Sequence, residues 1–167
     1  MSNIVFQTEW FRVIQNRVTQ FHKPYYTIET GDGVVILAIT KNKEIVLVRQ
    51  YRPASDSHTL EIPSGAIDGS ESTIKAAKRE LHEETGYTST HFKLLGSDFS
   101  VMENRITGRN NFFIALEAKR GPNHIPEKNI ETILVNQTEF ENLIKMGKFH
   151  HTAGVAVLAL AKLHNYL

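Results

Sequence analysis

One stretch constrains this chain more than any other. Residues 70–85 carry Ile74, Ala77 and Leu81 at helical spacing, so one narrow apolar stripe must be buried against another layer. Ser70 suits the N-cap, and Gly86 is placed to end the helix in a left-handed turn. Beside the stripe stand Glu80, Glu83 and Glu84. At about 100° per residue they fall within an arc of about 100°. Carboxylates crowded at i,i+4 repel, and the negative end of the helix dipole makes this worse. Most charge runs are solvated surface. The alternative is a hard divalent cation, because Mg²⁺ prefers carboxylate and phosphate oxygens.

The stripe needs a partner, and the flanking sequence supplies strands. Residues 4–15 and 18–30 alternate roughly between apolar or β-branched and polar residues, which predicts two strands. Val34–Thr40 is a continuous apolar run, the pattern of a strand covered on both faces. Lys41–Lys43 forms a turn into a further strand over Glu44–Tyr51. Thr59–Ile62 is extended ahead of Pro63, and Phe92–Leu95 and Phe112–Leu116 are strands separated by a long polar loop. Glu131–Val135 is the last strand, Thr138 caps a short helix ending near Gly147, and residues 152–165 form an apolar helix. Strands, one central helix, more strands and terminal helices describe an α/β (α+β) domain with helices packed on a sheet. No linker divides the chain, so residues 1–167 read as one domain.

Composition removes several classes of function. Nineteen Lys and Arg against eighteen Asp and Glu give a formal charge of +1. That leaves no electrostatic case for nucleic acid or an anionic membrane as partner. Without cysteine there is no disulfide, thiolate metal site or cysteine nucleophile. The longest apolar stretch, Ala153–Ala161, is half of the roughly 20 residues needed to span a bilayer. The N-terminus lacks the pattern of a signal peptide, so a cytoplasmic location is expected.

The segment from Gly65 to Tyr87 resembles the Nudix box, G-x5-E-x7-R-E-U-x-E-E-x-G-U, where U is a bulky apolar residue. Gly65, Glu71, Arg79, Glu80, Leu81, Glu83, Glu84, Gly86 and Tyr87 fill its nine positions. The resemblance implies an α/β/α sandwich around a mixed central β-sheet, and Mg²⁺, with Mn²⁺ as the alternative, held by a loop–helix–loop. It casts Glu80, Glu83, Glu84 and the Ser64 carbonyl as metal contacts. It casts Arg79 as the residue that orients the glutamates and Glu71 as a support for the loop. The implied reaction is hydrolysis of a nucleoside diphosphate linked to another moiety.

Two neighbouring segments narrow the branch. Arg49-Gln50-Tyr51-Arg52-Pro53 and Glu61-Ile62-Pro63-Ser64-Gly65 are similar to segments of ADP-ribose and nucleotide-sugar pyrophosphatases. By that resemblance Arg49, Gln50, Arg52 and Glu61 belong to the substrate site. A guanidinium at Arg52 suits a bidentate grip on phosphate. ADP-ribose, cleaved to AMP and ribose 5-phosphate, is the leading substrate. GDP-mannose, another nucleotide sugar or a dinucleotide is the alternative, and a non-catalytic nucleotide-binding domain is the rival class. The Ser-Pro-Gly segment that many ADP-ribose hydrolases carry beyond the box is absent. Glu103 is the only carboxylate in the loop Phe99–Arg105, so it is the candidate base, with Arg105 as a substrate contact. The resemblance also implies a homodimer, in which the strand-rich segment 1–30 would reach the partner. His150 and His151 read as surface or capping residues before the last helix.

Overall fold

In the computed structural model, which describes residues 2–167, the chain opens with β1 (Asn3–Gln7), β2 (Phe11–Asn16) and β3 (Tyr25–Thr30). It continues through β4 (Gly33–Thr40), β5 (Glu44–Arg52), β6 (Ser57–Glu61), β7 (Ser64–Ala66) and the helix α1 (Thr73–Thr85). β8 (Tyr87–Thr88), β9 (His91–Met102), β10 (Ile106–Arg120) and β11 (Ile130–Asn136) follow, and the chain closes with α2 (Gln137–Lys145) and α3 (Thr152–Leu163). The sheet path runs β1-β2-β3-β10-β4-β5-β11 and is mixed, with β10 parallel to β3 and β4 and antiparallel to β8 and β9.

Strand pleating builds two cores from the same strands. Val35, Leu37 and Ile39 of β4 join Ile45, Leu47, Phe112 and Ile114 in one core, closed by Phe140, Phe149, Val157 and Leu158. Val34, Ile36 and Ala38 point the other way and meet Ala76, Ala77 and Leu81 of α1, with Val46, Phe113 and Ala115. A period of two sends alternate residues to opposite faces, so the apolar run of β4 feeds both layers. Helices therefore cover both faces of a mixed sheet, as the α/β/α expectation requires. Leu81 is fully buried, and Ile74 is half-buried against the same core.

Four boundaries differ from the sequence reading. Residues 3–30 form three strands, because Thr8 Oγ1 accepts from the amides of Trp10 and Phe11 and turns the chain. α1 starts at Thr73 with Ser72, not Ser70, at the N-cap. α2 is capped by Asn136, not Thr138. The Asn136 side chain takes the Glu139 amide while the Glu139 carboxylate takes the Asn136 amide, a reciprocal capping box. The expected long polar loop before Phe112 is a hairpin of β9 and β10 whose turn is only 103–105. Its tip is tied to β3: Arg105 donates to the Tyr26 carbonyl at 2.8 Å and stacks on the Tyr25 ring, whose hydroxyl donates to the Asn104 carbonyl.

Candidate active site

β7 and α1 bring the carboxylates of the helix together around one guanidinium. β7 pairs with β4 in the register Val35↔Ser64 and Val34↔Gly65, which sets Ser64 over the last turns of α1. Arg79 Nη1 donates to Glu80 Oε1 at 2.7 Å and Glu83 Oε2 at 2.9 Å. Its Nη2 donates to Glu71 Oε1 at 2.6 Å and the Ala66 carbonyl at 2.9 Å. Glu71 in turn accepts the Asp68 amide at 2.9 Å. Arg79 thus links the helix to the loop before it, and its charge offsets the repulsion that the sequence foretold.

Glu84 lies deeper. Its Oε2 accepts the Ser64 amide at 2.9 Å, and the residue is only 8% exposed. Burial pushes its pKa up to about 8, reinforced by the charges of Glu80, Glu127 and Glu61 and opposed by the Ser64 N–H. Burial also raises Glu80, despite the bond from Arg79. Each of the three glutamates has one oxygen held by a protein donor. Among the described residues, Glu80 Oε2, Glu83 Oε1 and Glu84 Oε1 have no donor. Three unclaimed carboxylate oxygens in a half-buried position are the donor chemistry a hard cation takes. Among the described residues they do not form a closed three-ligand cage. Gly65 lies against them, and a Cβ there would land on the Glu80 carboxylate.

A second cluster lies on β5 and β6. Arg52 makes a bidentate pair with Glu61, Nε to Oε1 at 2.7 Å and Nη2 to Oε2 at 2.6 Å. Thr59 Oγ1 donates to Glu61 Oε1 at 2.6 Å and Gln50 Nε2 to Oε2 at 3.3 Å. Burial disfavours the Glu61 charge, but the Arg52 and Thr59 bonds outweigh it and hold the pKa below the usual range. Arg52 and Glu61 wall a cleft of about 630 Å³ whose other sides include Phe99, Ser100, Asn110, Phe112 and His151. The charge of Glu84 acts on Arg52, so this cleft adjoins the α1 carboxylates. Arg49 stands apart from it, pairing with Glu131 of β11 at 3.4 Å.

The loop 121–129 docks on the C-terminal end of α1. His82 Nε2 bonds the Pro122 carbonyl at 3.1 Å, and His124 Nε2 bonds the Glu83 carbonyl at 3.0 Å. Gly86 has φ 72°, and a Cβ there would meet the His124 ring at 2.6 Å. The glycine therefore serves both the helix stop and the close approach of this loop. Glu127, on the same loop, acts electrostatically on both Glu80 and Glu84. Glu103 and Arg105 sit instead at the β9–β10 tip, where Arg105 contacts β3. Sequence reasoning did not single out Glu127. It lies in no motif and reaches the carboxylates only through the docking of its loop. His151, expected as a surface or capping residue, stands at the N-cap position of α3 without a side-chain capping bond. Its position in the cleft depends on α3 packing against β4, β9 and β10 and on the close approach of Gly154 to Ile62, which no local pattern shows.

Known proteins resemble this chain in family and in fold. The NUDIX domain family matches residues 29–154. ADP-sugar pyrophosphatase of Mus musculus is 54% identical over 63 residues, 35% of this chain and 29% of that protein. ADP-ribose pyrophosphatase of Saccharomyces cerevisiae is 47% identical over 62 residues, 34% of this chain and 27% of the relative. ADP compounds hydrolase NudE of Escherichia coli is 30% identical over 84 residues, 50% of this chain and 44% of the relative. Each of these alignments covers less than half of the relative's length. A crystal structure of an ADP compounds hydrolase superposes with a TM-score of 0.84 at 21% identity, covering 100% of this chain and 95% of that one. No helix among the described residues is long and apolar enough to cross a membrane.

Proposed function

The chain belongs to the Nudix family, and from that premise we propose that it hydrolyses the diphosphate of a nucleotide sugar. ADP-ribose is the first candidate, giving AMP and ribose 5-phosphate. The observation that carries this reading is the pair of adjoining clusters: three unclaimed glutamate oxygens on α1 and a bidentate-held Arg52 at the neighbouring cleft. The names of the mouse and yeast relatives support the choice of an ADP-linked sugar.

In this reading Glu80, Glu83 and Glu84, with the Ser64 carbonyl, hold Mg²⁺ or Mn²⁺. A bound divalent cation neutralises diphosphate charge and favours ionisation of an attacking water. Arg79 keeps Glu80 and Glu83 oriented through its two Nη1 bonds. Arg52 is aimed by Glu61, which Gln50 and Thr59 fix in place, and its Nη1, which has no acceptor among the described residues, is left to bind phosphate oxygen. Glu127 takes the general-base role ahead of Glu103, because its charge reaches Glu80 and Glu84. Arg49 and Arg105 have other partners in the free protein, and a substrate role for either requires leaving them. The N-terminal strands serve as the arm of a homodimer, since Ile4, Val5, Phe6 and Trp10 are all at least half exposed.

The test is phosphate-linked product detection with Mg²⁺ across ADP-ribose, GDP-mannose, ADP-glucose, UDP-glucose, NADH and a diadenosine polyphosphate. ADP-ribose is expected to turn over fastest. Glu84→Gln is expected to lose more than about a hundredfold, beyond what a residue behind the metal ligands costs. A faster GDP-mannose reaction would move the substrate, and a fully active Glu84→Gln protein would remove the metal assignment.

A further inference from the structure

The cleft beside Arg52 holds a second hydrogen-bond donor that the chemistry above does not use. His151 sits at the N-cap of α3, and its Nδ1 accepts the Ile62 amide at 3.2 Å. A neutral imidazole that accepts at Nδ1 carries its proton on Nε2. Burial, helped by the charge of Arg52, disfavours the imidazolium, while Glu61 acts the other way. The ring is held firmly. Phe149 lies 6.3 Å away between ring centroids, and a Cβ at Gly154 would meet Phe149 at 2.5 Å and Ile62 at 3.0 Å. α3 therefore packs closely against the segment that carries the Ile62 amide.

Nε2 has no acceptor among the described residues, although the ring lines the cleft. Glu61, the nearby carboxylate, already takes four bonds from Arg52, Thr59 and Gln50. Arg52 lines the same cleft, and its remaining Nη1 has no acceptor among the described residues. Two pre-oriented donors with no protein acceptor between them define a place for an oxyanion. Ile62 is two residues from Ser64, whose amide binds Glu84, so this place adjoins the α1 carboxylates.

We propose that His151 is a substrate-contacting residue whose Nε2–H donates to a phosphoryl oxygen of the bound diphosphate, alongside Arg52. This deepens the diphosphate reading above and rests on it for the identity of the natural substrate. The role separates from simple support of Ile62 by two substitutions. In His151→Asn the amide oxygen matches Nδ1 and keeps the Ile62 acceptor but removes the cleft donor. In His151→Gln the amide nitrogen matches Nε2 and keeps the donor but gives up the Ile62 contact.

The experiment is calorimetric titration of the wild-type protein and both variants with inorganic pyrophosphate in Mg²⁺, followed by kcat/KM for ADP-ribose on the same samples. Pyrophosphate is expected to bind about tenfold more weakly to His151→Asn and within about threefold of wild type to His151→Gln. Unchanged binding by His151→Asn, an equal loss in both variants, the reverse order, or no binding to wild type would overturn the proposal. The expected binding pattern in a protein that leaves ADP-ribose intact would overturn the substrate reading and keep the donor role.

Discussion

In the function proposed above, Glu84 links the stability of this protein to metal and pH in a way that one substitution exposes. Its carboxyl is buried, and without a cation its pKa is pushed up to about 8 from an ordinary 4.5. The folded state therefore holds this proton more tightly than the unfolded chain. The resulting stabilisation is complete below about pH 4.5, declines as pH rises, and is gone above about pH 8. The full difference corresponds to about 5 kcal/mol. Water penetration and relaxation in a real interior bring the expected figure to about 2–4 kcal/mol. In Glu84→Gln the amide oxygen still accepts the Ser64 N–H, but nothing titrates. Groups that do not act on Glu84 are common to both proteins and cancel, whereas the repulsion between Glu84 and Glu80, Glu127 and Glu61 is lost with the charge and adds to the same trend.

The assay is urea denaturation of wild type and Glu84→Gln in EDTA at pH 5.5, 7 and 9. The variant is expected to gain on wild type as pH rises, by about 2–4 kcal/mol between the extremes. Excess Mg²⁺ at pH 9 is expected to restore wild type by mass action and to do much less for the variant. Parallel stability profiles in EDTA would refute the account of a buried, proton-holding Glu84. Equal protection of both proteins by Mg²⁺ would refute its role as a ligand.

Gly65→Ala places a methyl on the Glu80 carboxylate, so Glu80 must turn away. We expect a folded protein, destabilised by about 1–3 kcal/mol, whose Mg²⁺ requirement in the product assay rises at least tenfold; an unchanged requirement would contradict the packing. The exposed Phe6 and Trp10 are expected to hold two copies together. Sedimentation equilibrium of Phe6→Ser/Trp10→Ser should show a monomer where wild type shows a dimer, with identical species counting against the N-terminal arm.

The parts of the structure legible in the sequence are those with local causes. Leu81 and Ala77 announce the buried face of α1 by spacing alone. The unbroken apolar run of β4 announces a strand covered on both sides. What escaped depends on distant partners. The length of β9 and β10 is supported where Arg105 and Asn104 bind β3, a contact between residues far apart in sequence. The turn at Thr8 depends on one hydroxyl taking two amides, a choice that composition does not dictate. Of the site, the box residues were readable because one continuous stretch, the loop and helix of residues 65–87, carries them. Glu127 and His151 were not, because a docked loop and a packed helix deliver them.

The register that places Ser64 over Glu84 has a kinetic consequence. β7 finds its place only on β4, and β4 is flanked by β10, a parallel neighbour that arrives much later in the chain. Parallel pairing between distant segments requires large loops to close before any contact rewards them, and such steps are slow. The helix carrying the glutamates can form early from local bonds, yet the contact of Ser64 with Glu84 exists only once β7 is seated on β4. Refolding should then regain helical signal before it regains metal binding, and the catalytic centre should report the last step of assembly.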